Sequence, residues 1–186
     1  MAVLLAAVDC AAKAQRPTTE RHIQAYVALG QLVFGVAAAY RFGPYKGRLI
    51  CQELTDDLGT CRGEGYLRSD PSPGGRAPRL RIGGYAPWLH GRPVLWRLAD
   101  HQRLALRGLF VIDDSSLSRA EGAAVYLWLR ASADEVETRE LFADHRKHLM
   151  SSIDDQLSDI DQLLARCRSL SPDSPEDGGE PNAESR

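Results

Sequence analysis

The spacing of apolar residues changes several times along the chain, and each change marks an element. Residues 2 to 14 are mostly Ala, Leu and Val, which predicts a short helix stopped by Pro17, whose ring cannot continue the ladder of backbone hydrogen bonds. Thr18 or Thr19 is placed to cap a second helix that runs to about Tyr40, with Gly30 as a candidate break. Gly43-Pro44 ends that run. Ile50, Leu54 and Leu58 then recur every four residues, predicting a third helix from about Tyr45 to Leu58 with Lys46, Gln52, Glu53 and Asp56 toward water.

After Leu58 the helical period disappears. Gly59, Gly63 and Gly65 loosen the chain, and two short strand-like runs, Tyr66-Leu67 and Leu80-Arg81-Ile82, flank DPSPGGRAP, which predicts a β-hairpin with a long polar tip. Pro93 suits the first turn of a helix carrying Leu95, Leu98, Leu106 and Leu109. Ser118 with Glu121, and Ser132 with Glu135, have capping-box spacing ahead of two further helices. Met150, Ile153, Leu157, Ile160, Leu164 and Cys167 step by three and four, placing one apolar stripe on a long C-terminal helix that packs back on the domain. Residues 171 to 186 have no apolar periodicity and read as a disordered acidic tail.

The fold class expected is therefore mainly α with a small β-hairpin. Residues 1 to 170 form a single domain, whose order of three helices and a hairpin over residues 18 to 82 makes a winged-helix-like core ahead of the C-terminal helices. The chain of 186 residues is long enough for such a core, and 44% hydrophobic with 26% charged residues excludes collagen-like, wholly disordered and disulfide-scaffold classes.

Charge adds a spatial expectation. The net is −2 overall, but it divides into +1 over residues 1 to 40, +6 over 41 to 112 and −9 over 113 to 186. A polyanion would prefer the middle third, provided that the fold keeps it clear of the acidic end. Cys10, Cys51, Cys61 and Cys167 include no CxxC pair, so neither a zinc site nor a disulfide framework is expected. The opening MAVLLAAVDC lacks a basic leader, and the apolar stretch from Ala25 to Tyr40 is shorter than the ~20 residues of a spanning helix. A cytoplasmic protein without membrane attachment is expected.

In a winged-helix arrangement the third helix presents side chains to a groove and the hairpin tip reaches phosphates. The candidate DNA or partner contacts are accordingly Lys46, Arg48 and Gln52 at the start of the third helix and Arg76, Arg79 and Arg81 on the wing, with Tyr40 and Arg41 at the surface beside them. Phe42 and Tyr45 are expected to plug the core. Glu53, Asp56 and Asp57 share the third helix and would oppose a polyanion.

The segment YRFGPYKGRLICQELTDDL resembles the YwgA-like and SocA-like (Panacea) proteins of bacteria and phages. The residues that carry the likeness are Gln31-Leu32-Val33-Phe34, Tyr40-Arg41-Phe42-Gly43-Pro44-Tyr45, Asp57-Leu58 and Gly65-Tyr66-Leu67. It covers residues 20 to 68, and more faintly the helices after Ser118. Some SocA-like members are antitoxins that bind a toxin, so the resemblance implies a protein-binding role.

Catalytic motifs are absent: there is no GxGxxG, GxxxxGKS, HExxH or GxSxG. His145 with His148 could begin a metal site, and Asp113-Asp114 could hold a divalent cation, but nothing in the spacing supplies further ligands. No catalytic residue, cofactor or metal is assigned. The function expected is that of a non-enzymatic binding protein, regulatory or antitoxin-like, engaging a protein partner such as a toxin and also DNA through the winged-helix core. The alternative is an adaptor with no nucleic-acid role that docks through its acidic C-terminal helix, and a metal-dependent enzyme is the least favoured reading. The oligomeric state is not set by the sequence.

Overall fold

A computed structural model describes residues 1–36, 38–71, 77–85, 98–100, 102–103, 106, 117–147 and 152–169. The order of elements is α1 (Ala2–Lys13), α2 (Glu20–Phe34), β1 (Gly43–Tyr45), β2 (Arg48–Ile50), α3 (Gln52–Gly63), β3 (Leu67–Asp70), β4 (Arg79–Ile82), α4 (Leu117–Arg130), α5 (Glu135–Arg146) and α6 (Ile153–Ser169). The protein is mainly helical with a small antiparallel hairpin at β3–β4, as expected, and with a second, unexpected hairpin at β1–β2. The wing-like pair lies where the sequence placed it, with Leu67 opposite Ile82, Arg68 opposite Arg81 and Asp70 opposite Arg79.

Three helices carry the core. Val3 to Val8 of α1, Ile23 to Gly30 of α2 and Glu121 to Tyr126 of α4 are continuously buried, and runs of that length leave no solvent stripe, the mark of helices covered on most sides. α4 packs against α2, α5, α6 and β2, while α1 packs on α2 and β4. From α6, Ile160, Leu163 and Leu164 close the core, so the C-terminal stripe does lie on the domain. Among the described residues no helix is long and apolar enough to cross a membrane.

α1 ends in a Schellman turn. Gln15 takes φ 55°, and its N–H and that of Arg16 return to the carbonyls of Ala12 and Ala11 at 3.1 and 2.8 Å. Thr19 is the residue at which α2 begins, in extended conformation.

Two expected boundaries are corrected. The second helix stops at Phe34 instead of Tyr40, because Gly35 adopts φ 60° and Val36 N–H turns back to the Gly30 carbonyl at 3.1 Å. Gly30 is thus an anchor inside the helix and not a break. The apolar letters after it reflected burial: Val36 is buried beside Gly30, and Ala38 packs on the core.

The third helix starts at Gln52 and not at Tyr45. Residues 43 to 50 instead form the β1–β2 hairpin, with Gly43 opposite Ile50 and Tyr45 opposite Arg48. Its two central residues, Lys46 and Gly47, have φ 47° and 74°, both left-handed, which is the type I′ geometry whose twist matches that of paired strands. Gly47 supplies one of these positions without a Cβ penalty. Pro44 fits a strand that, among the described residues, pairs on one edge alone.

Both predicted capping boxes are also corrected. Asp134 caps α5, its Oδ1 accepting from Glu137 N at 2.9 Å, while Ser132 donates to the Trp128 carbonyl. Ser118 lies inside α4, and it and Glu121 make long-range bonds instead. Of the predicted helix from Pro93, Leu98 and Leu106 are described and buried in the core, while Pro93, Leu95 and Leu109, the Asp113-Asp114 pair, His148, Met150 and the tail from 171 to 186 lie outside the described residues.

Candidate functional site

The described arginines of the middle third include three on the β3–β4 ribbon and two, Arg48 and Arg62, at a cleft beside it. In β3–β4 Leu67 and Leu80 are buried, while Arg68, Arg79 and Arg81 are exposed. Since paired residues share a face of the ribbon, Arg68, Arg79 and Arg81 stand together with Asp70 on the outer face. Arg81 Nε donates to Asp70 Oδ2 at 2.7 Å, an exposed pair that holds the side chain loosely. The ribbon is fixed to the helical body by Leu80 N–H, which donates to the Thr18 carbonyl at 3.0 Å.

Beside the ribbon lies a cleft of about 390 Å³ between the first turns of α2 and α3, β2 and the Ala77-Pro78 segment. Arg21, Arg48 and Arg62 enter it from three elements, together with Gln24, Gln52 and Thr55. The buried Gln24 is fully engaged: its Oε1 accepts from Cys51 N, and its Nε2 donates to Cys51 O and Thr55 Oγ1 at 3.0–3.1 Å. That knot fixes β2 and the start of α3 against α2. Arg62 Nη2 donates to Glu20 Oε2 at 3.2 Å, while its buried Nε has no hydrogen-bond partner among the described residues.

Arg21 is clamped from behind. Its Nε and Nη2 donate to the two oxygens of Glu121 at 2.5 and 2.7 Å, and Glu121 is only 3% exposed. The fork raises the Arg21 pKa above the ordinary arginine value, first through this hydrogen bond. His22, in the same turn, bonds Thr19 Oγ1 through Nδ1 at 2.6 Å. Burial pulls its pKa below the usual histidine value; the Glu121 carboxylate opposes this, and Arg21 and Arg79 add to it.

A second buried guanidinium ties the halves of the chain together. Arg146, at the end of α5, is 4% exposed. Its Nε donates to Gln156 Oε1, its Nη1 to the Gly47 carbonyl and its Nη2 to the carbonyl and hydroxyl of Ser118, at 2.8–3.1 Å. Burial lowers its pKa, with the field of Glu121 acting the other way. Arg146 is thereby the strut that seats the β1–β2 turn against α4 and α6.

The predicted contact residues separate into groups. Arg48 and Gln52 line the cleft. Arg79 and Arg81 lie on the ribbon face, and Arg76 lies outside the described residues. Lys46 is exposed at the hairpin tip, its ammonium 5.1 Å from the centre of the Tyr45 ring; Tyr45 is itself exposed and does not plug the core, whereas Phe42 packs against it. Arg41 is exposed. Tyr40 is half-buried and engaged: its hydroxyl donates to Asp57 Oδ2 at 2.7 Å, and burial together with that bond pushes its pKa far up.

Placement of Lys46 and Arg48 at the start of the third helix is therefore overturned. The type I′ turn puts both on a hairpin instead. On α3 the exposed residues include Gln52, Glu53 and Asp56, and Gln52 Nε2 donates to Asp56 at 2.9 Å. This acidic surface is a poor match for a phosphate backbone.

Sequence reasoning missed Arg21, Arg62 and Arg146. Their partners lie 100, 42 and from 10 to 99 positions away, and no local periodicity encodes such contacts. No group of three or more metal-ligating side chains exists among the described residues. Burial raises the pKa of Cys51 and Cys61, and Glu53 adds to this at Cys51, so neither thiol is activated as a nucleophile. No family model, curated protein or solved structure matches this chain.

Proposed function

We propose that the protein is a non-enzymatic, regulatory binding protein, and that its β3–β4 ribbon grips the phosphate backbone of duplex nucleic acid. The observation that carries this reading is the outward face of the ribbon, where, among the described residues, Arg68, Arg79 and Arg81 stand with the single carboxylate of Asp70. A two-stranded ribbon is narrow enough to enter a groove, and guanidinium groups pair with phosphate oxygens in a planar fork. Contacts of this kind position a protein without reading sequence. The resemblance of residues 20 to 68 to SocA-like proteins supports a regulatory, antitoxin-like role in which a protein partner is bound as well.

The adaptor reading, through the acidic C-terminal helix, has less support. Two carboxylates of α6 are already used within the chain: Asp154 pairs with Arg139, and Asp159 with Arg119 at 3.1 Å.

Fluorescence anisotropy with a random duplex at low salt tests the proposal. Binding is expected to weaken with salt, and the triple variant R68A/R79A/R81A is expected to reduce the slope of log K against log salt by about 3. Binding that is indifferent to salt or to the triple variant refutes the nucleic-acid reading. Capture of an acidic protein partner that depends on the same arginines would assign the face to protein instead.

A further inference from the structure

We propose that the cleft between α2 and α3 binds a phosphate group carried by a small molecule of about mononucleotide size. The site is separate from the ribbon face and does not depend on the nucleic-acid reading. Its volume of about 390 Å³ is within the range of small-molecule pockets, roughly 300–1,000 Å³.

The donors are poised and incompletely used. Arg48 is half-buried in the lining, and no hydrogen bond or ion pair engages its guanidinium among the described residues. Arg62 Nε is buried without an acceptor. Arg21 commits Nε and Nη2 to Glu121, which leaves Nη1 for a ligand. Arg62 commits Nη2 to Glu20, which leaves its Nη1 for a ligand oxygen in the cleft. The first turns of α2 and α3 add a smaller positive potential along the same wall.

The charge of the lining selects the ligand. Three guanidinium groups stand against Glu20 in the lining and Glu121 behind Arg21, which leaves the site net positive, and N–H groups from three directions suit the several oxygens of one tetrahedral anion. A phosphomonoester carries nearly two negative charges at neutral pH; a lone carboxylate carries one. Leu49, Ile50, Ala77 and Pro78 form the apolar remainder of the lining, which suits a flat, weakly polar group attached to the phosphate. The sources of such chemistry are a free mononucleotide and the terminal phosphate of a nucleic-acid strand.

Isothermal titration calorimetry with AMP, inorganic phosphate and adenosine is the test. Saturable binding of AMP is expected, with inorganic phosphate competing and adenosine not binding. Arg48→Ala is expected to weaken AMP about tenfold or more, the usual loss of a charge-assisted bond, whereas Arg81→Ala leaves its affinity within about twofold because that side chain lies outside the cleft. Amide shifts at Gln52 and Thr55 on adding phosphate to the intact chain supply a readout free of any substitution. Comparing a 5′-phosphorylated oligonucleotide with its unphosphorylated form separates the sources: phosphate-dependent binding tighter than AMP assigns the strand end, and AMP binding the tighter assigns the free nucleotide. No AMP binding at millimolar concentration, equal binding of adenosine, shifts that avoid Gln52 and Thr55, or indifference to Arg48→Ala overturns the proposal.

Discussion

Replacing Arg146 by Met should separate the two halves of the molecule energetically. The side chain is 4% exposed and makes four hydrogen bonds to Gln156, Gly47 and Ser118. Methionine fills much of the space but donates nothing, so the carbonyls of Gly47 and Ser118 lose their guanidinium donors. Each such loss costs about 1–3 kcal/mol. Removing the desolvated charge offsets part of this, since a buried ion is itself expensive. The net expectation is a destabilisation of about 3 kcal/mol, in the upper range of single substitutions. With a urea slope of about 1–3 kcal/mol per molar, the unfolding midpoint followed by circular dichroism should fall by about 1–3 M. Arg146→Lys should behave almost as badly, because one ammonium cannot span acceptors on the β1–β2 turn, α4 and α6 together. A midpoint for Arg146→Met at or above that of the parent protein would show that the strut contributes nothing, and the reasoning would fail.

Three further outcomes follow from the same contacts. Arg21→Met leaves the Glu121 carboxylate buried without its fork and should cost about 2–3 kcal/mol in a denaturant melt, a discount on the usual buried-pair value because Arg21 is half exposed; Arg21→Met/Glu121→Leu should recover most of it. In the β1–β2 turn, Gly47→Ala should lower stability by about 1–2 kcal/mol, whereas Lys46→Asn should raise it slightly, since asparagine tolerates the left-handed conformation better; opposite shifts in thermal midpoint check both. His22 has its folded pKa lowered by burial from the ordinary 6.5. The unfolded chain therefore binds more protons in the window just below pH 6.5, and stability falls as pH drops through it. His22→Gln should flatten that part of the stability profile.

How much of this was legible depends on the range of the interaction. The ribbon was readable because Leu67, Leu80 and Ile82 alternate with arginines over a few residues, a period-two signal that needs no partner. The hairpin at 43 to 50 was not. Ile50, Leu54 and Leu58 share a helical spacing, yet Ile50 belongs to a strand, and the Lys46-Gly47 turn is a weaker signal than Asn-Gly. The cleft was half visible: Arg48 and Gln52 stood out as charged and polar residues in a basic segment, but Arg21 and Arg62 looked like ordinary solvated helix residues.

By itself the sequence determined the mainly helical class, the ribbon with its arginine face, and the apolar faces of the helices, because propensity, turn chemistry and periodicity act within a few residues. Tertiary structure alone decided where α2 ends, that residues 43 to 50 pair as strands, and that Arg21, Arg48 and Arg62 converge on one cleft while Arg146 is buried as a strut. The physical reason is that a guanidinium is solvated or engaged according to which carboxylates and carbonyls the fold brings within 3 Å of it, and chain order does not record that distance.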